Sequence, residues 1–153
     1  MILDQITKYL AAAHLKLIGT VPIIEDVLHL TYLENRGAAF GILKDHRWVF
    51  MVISTLAVVA IIAFMLAFYK KHFSPLLYSG LALIAGGGIG NMIDRISLGY
   101  VVDFIDFRLI NFAVFNVADT FVCIGCGLVV LYVILGDAKE LRKNKAGDHS
   151  STN

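Results

Sequence analysis

Three long stretches almost free of charge constrain this chain more than any other feature. Trp48 to Tyr69 (WVFMVISTLAVVAIIAFMLAFY) and Phe73 to Ile93 (FSPLLYSGLALIAGGGIGNMI) carry no Asp, Glu, Lys or Arg. Phe115 to Leu135 (FNVADTFVCIGCGLVVLYVIL) carries one, Asp119. Each is near the ~20 residues that cross a hydrocarbon core of ~30 Å. A soluble domain averages about 25% charged residues, and this chain of 153 has 16%, with 58% hydrophobic. Three such runs predict an integral membrane protein of one domain, with residues 1–136 embedded and 137–153 forming a polar cytoplasmic tail.

Basic residues orient the spans. Lys70, Lys71 and His72 sit between the first two complete runs, and Lys139, Arg142, Lys143 and Lys145 follow the last. Both groups are expected on the cytoplasmic side. Gly19–Arg47 and the connection Ser97–Val114 then fall outside. Val27–Glu34 (VLHLTYLE) is β-branched and aromatic and reads as a short strand. ENRGAAFG follows, with small residues suited to tight turns. The first stretch, MILDQITKYLAAAHLKLI, reads as helical and partly apolar. It fits the outer half of a first membrane helix, with a surface helix as the alternative. The tail after Gly136 reads as disordered. There is no internal repeat.

Acids in apolar surroundings are the candidates for chemistry, because burying an unpaired carboxylate is costly. Asp119 lies one turn into the last run, and a charge deep in a bilayer is a functional candidate by default. Its bland alternative is a structural pair with Arg95 or Arg108. Asp103 and Asp106 lie in YVVDFIDF, at the same expected depth, and spacing does not choose between them. Two carboxylates within ~4 Å repel by roughly 4 kcal/mol at an effective dielectric of 20. One then keeps its proton while the other ionises, as hydrolysis by paired acids requires. Asn91 and Arg95, at i and i+4, share a helix face; the bland reading of Arg95 is capping and anchoring. Asp94 reads as an interface salt-bridge partner.

Other chemistries find little support. The five histidines are scattered, with no HExxH, so no metal or cofactor is expected. No Ser lies in GxSxG. Gly86 and Gly90, at GxxxG spacing, suit close helix packing rather than nucleotide binding. Cys123 and Cys126 (CIGC) read as small packing residues within a membrane helix rather than a redox pair. No basic patch with interleaved aromatics suggests nucleic acid. A different function class, a small ion- or proton-coupled transporter subunit using Asp119 as relay, remains a rival.

LDQITK (Leu3–Lys8), ENRGAAFG (Glu34–Gly41), GNMIDRISLGYVVDF (Gly90–Phe104) and FNVADTFVCIG (Phe115–Gly125) together resemble the lipoprotein signal peptidases, the bacterial membrane aspartyl peptidases of signal peptidase II type. The motifs occur in the family's order and span nearly the whole chain. The resemblance implies an all-α membrane protein of four transmembrane helices, the first truncated, with a small outer β-cradle and a surface helix from the Gly19–Arg47 region. It implies catalysis by Asp103, in the VxDF-type motif, and Asp119, in the NxAD motif. The choice of Asp103 over Asp106 rests on that motif. Asn35, Gly37, Asn91, Arg95 and Asn116 match substrate-binding or supporting positions, and Asp4, Lys8 and Asp94 structural ones. The implied substrate is a prolipoprotein with a diacylglyceryl Cys, cut just before that Cys. The enzyme would act as a monomer among the lipids of the cytoplasmic membrane, near its outer face. The pattern departs from the family at its start, where only Met1–Leu3 precede the DQxxK residues.

Overall fold

In the computed structural model, residues 1–37, 47–69 and 74–148 are described. Four helices and three strands follow in order: α1 (Ile2–Leu15), β1 (Thr20–Ile24), β2 (Leu28–Asn35), α2 (Arg47–Ala67), α3 (Pro75–Ser97), β3 (Val101–Phe107) and α4 (Val117–Asp148). A 3₁₀ turn, Arg108–Ile110, follows β3. The expected surface helix falls largely on residues 38–46, the first basic cluster on 70–73 and the final residues on 149–153. These lie outside the described residues.

α3 starts on a strong signal. Ser74 accepts from the Leu76 amide at 3.2 Å, and Pro75 occupies the first helical position, where its missing N–H costs nothing. α3 packs closely on α4. A Cβ on Gly80 would lie 2.8 Å from the Gly125 carbonyl, and one on Gly125 2.6 Å from that of Gly80. A Cβ on Gly87 would collide with the Ala118 carbonyl. Gly86, which the GxxxG spacing singles out, faces open space, while Gly90 meets the Asp4 carboxylate. The helix contact therefore uses Gly80 and Gly87, seven apart and so nearly two whole turns along one face.

α3 and residues 117–136 of α4 are long and apolar enough to cross a membrane, and α2 has a shorter apolar stretch, Met51–Ala67. Leu56, Val59, Val130 and Ile134 are more than half exposed. A wet surface rarely carries so much contiguous apolar area, whereas lipid tails cover it at no cost. α4 does not end at Gly136. Its backbone stays helical to Asp148, where a disordered tail was expected, because AKELRKNKA is rich in the best helix formers.

Beside the helices stands the small sheet expected with them. It is antiparallel, in the order β1-β2-β3. The strand expected at Val27–Glu34 forms at Leu28–Asn35. β1 and β3 were not anticipated, although VVDFIDF has strand-like residues. Gly19 (φ +85°) and Gly99 (φ +84°) turn the chain from α1 into β1 and from α3 into β3, in a conformation that side chains disfavour. The β2–β3 pairing brings Leu28–Asn35 and Val101–Phe107, from the two segments expected outside, against each other. Ala11 and Leu15 of α1 pack with Val102 and Phe104 of β3 in a small core beneath the sheet.

Candidate active site

Side chains alternate across a strand, so two residues three apart face opposite ways. Asp103 and Asp106 on β3 are such a pair. Asp103, 1% exposed, accepts hydrogen bonds from Asn35 Nδ2 (2.8 Å) and Asn116 Nδ2 (2.7 Å). Asp106 accepts from Thr31 Oγ1 (2.7 Å) and pairs with the Arg108 guanidinium (3.0 Å). Arg108 therefore belongs to Asp106 and not to Asp119.

Asp119 reaches the same cluster from the start of α4. Asn116 is the residue before the helix, and its Oδ1 accepts from the Asp119 amide (3.0 Å). The Asp119 carboxylate in return accepts from the Asn116 amide (3.1 Å). This reciprocal pair is a capping box with Asp in the position usually held by Glu or Gln. Asp119 thus points back over the helix start. Its other oxygen accepts from Asn91 Nδ2 on α3 (2.7 Å).

Asn116 links the two acids. It is fully buried and hydrogen-bonded to both carboxylates, by Nδ2 to Asp103 and by its backbone amide to Asp119. Asn35 is held in turn by Gly37, whose N–H donates to Asn35 Oδ1 (3.0 Å). That bond leaves Nδ2 as the group Asn35 offers to Asp103. Among the described residues, the ion pairs reach Asp4, Asp94, Glu34 and Asp106, and none reaches Asp103 or Asp119. Neutral amides, not cations, hold these two acids.

The two sides of β3 differ electrostatically as a result. Burial pushes the Asp103 carboxyl up to about 6. The nearby Asp119 charge adds to the rise, and the amides of Asn35 and Asn116 oppose it. For Asp106 the cost of burial is smaller than the help from Thr31 and Arg108, and its carboxyl lies below the usual range.

The structural residues form a buried layer beside the acids. Lys8 Nζ contacts Asp4 (3.1 Å) and Asp94 (3.0 Å), and all three are almost fully buried. Asp94 is therefore the salt-bridge partner expected of it, and the pair is buried. Gln5, which sequence reasoning did not single out, donates to Asp94 (2.9 Å) and to the Gly90 carbonyl (3.2 Å). A signal was present in the buried stripe Asp4, Lys8, Ala11 and Leu15, which has helical spacing. Arg95 lies in the last turn of α3 and donates to the Asn91 carbonyl (3.3 Å). Cys123 and Cys126 are exposed on α4 with free thiols.

This geometry matches known proteins along nearly its whole length. Residues 1–135 match the family model described as signal peptidase (SPase) II. The lipoprotein signal peptidase of Halothermothrix orenii is 48% identical over 134 residues, covering 87% of this chain and 88% of that protein. That of Caldanaerobacter subterraneus subsp. tengcongensis is 49% identical over 133 residues, with the same two coverages. A solved structure described as a bacterial membrane enzyme, obtained by the in meso method at 2.3 Å resolution, superposes with a TM-score of 0.78. It is 33% identical and covers 91% of this chain and 84% of its own.

Proposed function

The chain belongs to the signal peptidase II family, and on that premise we propose that Asp103 and Asp119 are the catalytic pair of this aspartic endopeptidase. The enzyme removes signal peptides from prolipoproteins. The observation that carries the residue assignment is the bridge through Asn116, which hydrogen-bonds both carboxylates at the junction of β3 and α4.

The chemistry follows from the asymmetry of the pair. Asp103, in its dry setting, holds a proton more readily than an exposed acid. Asp119 accepts two N–H donors, one on each oxygen, and serves as the acceptor of the pair. A water between the acids loses a proton to the ionised carboxylate as it attacks the scissile carbonyl. The protonated carboxyl supports the developing oxyanion, and a proton reaches the leaving amine as the C–N bond breaks. Neutral amides around the pair keep both acids free to exchange protons, where a guanidinium would lock one as a carboxylate.

The substrate's lipid sets the location. The scissile bond lies just before a diacylglyceryl Cys, the acyl chains remain in the bilayer, and the sheet lies at the outer face of the cytoplasmic membrane. Four transmembrane helices, the first represented here by α1, form one peptidase domain over residues 1–136. Residues 137–153 are cytoplasmic, and the enzyme works as a monomer. Family membership leaves the ion-coupled carrier, the other reading of Asp119, without support.

The test is cleavage of a diacylglyceryl-Cys pre-lipoprotein in lipid or detergent, beside its unlipidated form. Asp103→Asn and Asp119→Asn should each remove activity by on the order of 10³-fold or more while melting as folded proteins. Ordinary turnover by either variant would overturn the pair. Equal cleavage of the unlipidated form would overturn the assigned substrate.

A further inference from the structure

Lys8 is almost fully buried, and its ammonium has three partners. Each contact leads to within one residue of an acid of the proposed pair. Through Asp4 it reaches α4, because Asp4 Oδ1 accepts from the Ala118 amide (2.9 Å), beside Asp119. Through Asp94 it reaches β3, because Asp94 Oδ2 accepts from the Val102 amide (3.1 Å), beside Asp103. The third contact, Lys8 Nζ to Asn91 Oδ1 (2.8 Å), leads to Asp119 itself.

The third contact carries chemical information. An ammonium only donates, so it requires an acceptor from Asn91. The Asn91 amide must then turn its oxygen to Lys8 and its NH₂ to Asp119. Asn116 Nδ2 also donates to that oxygen (3.1 Å), which favours the same orientation. An N–H aimed at Asp119 Oδ1 disfavours a proton on that oxygen. The orientation of one amide therefore biases where the proton shared by the pair can reside.

We propose that Lys8 is a positioning residue for catalysis: it orients the Asn91 amide with its NH₂ toward Asp119, and anchors the start of α4 and β3 at a fixed spacing. The inference rests on the Asp103–Asp119 assignment. The groups facing the pair are Asp4 and Lys8 from α1, Asp94 and Arg95 from α3, and the neutral Asn35 from β2. Arg95 donates to the Asn91 backbone carbonyl, while the Lys8 ammonium is the cation bonded to the Asn91 side-chain oxygen, so its loss frees that amide to turn.

Lys8→Met alone leaves two acids buried beside no cation and risks misfolding. Lys8→Met with Asp94→Asn keeps the net charge of the cluster and is the informative variant. It should melt cooperatively, with kcat for a diacylglyceryl-Cys pre-lipoprotein reduced by about 100-fold and KM within about threefold. The acid limb of its rate profile should move to higher pH. Because Lys8 acts through Asn91, adding Asn91→Ala should cost little more than the larger of the two effects. A folded Lys8→Met/Asp94→Asn protein with unchanged kcat and pH profile would overturn the proposal, as would fully additive losses with Asn91→Ala. If Asp103→Asn and Asp119→Asn remain active, the catalytic assignment itself falls. If they are inactive and the Lys8 variant is normal, only the role of Lys8 falls.

Discussion

Asp103 and Asp106 lie three residues apart on one strand, yet their surroundings have almost nothing in common. Asp103 faces the helices, is 1% exposed, and is bonded to two neutral amides. Asp106 faces the other way, beside a threonine and a half-exposed arginine. Both are buried, but the balance differs. Burial pushes Asp103 up to about 6 against the pull of its two amides and with the help of the Asp119 charge, whereas for Asp106 burial is outweighed by Thr31 and the Arg108 guanidinium, which hold its carboxyl below the usual range. An acid held by amides can do proton chemistry, and an acid held by a cation serves the fold.

The comparison breaks most sharply if Asp103 is given what Asp106 has. Asn35→Lys puts a cation beside Asp103 and should lower its hold on a proton. Cleavage at neutral pH should then fall by roughly a hundredfold, with the alkaline limb of the profile displaced to lower pH. An unchanged limb in a folded variant would show that amide surroundings are not what sets Asp103 apart.

A second measurement uses stability. The folded-state value for Asp103 is about 6, above the ordinary aspartate value of 3.8. The folded protein therefore binds this proton when the unfolded chain has released it. Stability should rise as pH falls from about 6 to about 4, by roughly 2 kcal/mol for one group. Asp103→Asn should remove that slope. Asp106, with its carboxyl lowered, works in the opposite sense: its contribution is present above the usual carboxylate range and is lost on acidification below it. Melting temperature against pH for the parent and for each Asn variant separates the two. A slope that survives in Asp103→Asn belongs to another group.

The smallest effect is expected at Asp106. Asp106→Asn removes an ion pair whose arginine is 42% exposed, and such pairs contribute about 0.5 kcal/mol. Cleavage should stay within about twofold of the parent, since the residue faces away from Asp119. A large loss of cleavage in a stable variant would mean that the wrong acid of β3 had been chosen.

Several features were legible without coordinates because they depend on local composition. The apolar runs mark α2, α3 and α4, and the β-branched stretch marks β2, which forms one residue later than expected. The motif residues Asn35, Gly37, Asn91, Asn116 and Asp119 do meet around Asp103. The tie between Asp103 and Asp106 was less legible. VVDFIDF read as an apolar interfacial segment, and reading it as a strand would have put the two acids on opposite faces by parity alone. Parity says which residues share a face, however, and not which face meets α4.

The amino-acid sequence by itself determined that three long runs are nearly free of charge, where the acidic motifs lie along the chain, and which family it resembles. Hydropathy and motif order are properties of the chain, and they survive without a fold. The tertiary structure decided the partners. Asn116 reaches Asp103 because β3 and the start of α4 converge. Lys8 reaches Asn91 because α1 lies against α3, across 83 positions of sequence. Arg108 was drawn to Asp106 because strand alternation put that acid on its side of the sheet. A carboxylate's chemistry depends on donors and charges within a few ångströms, and in this protein most of those come from other elements of the chain.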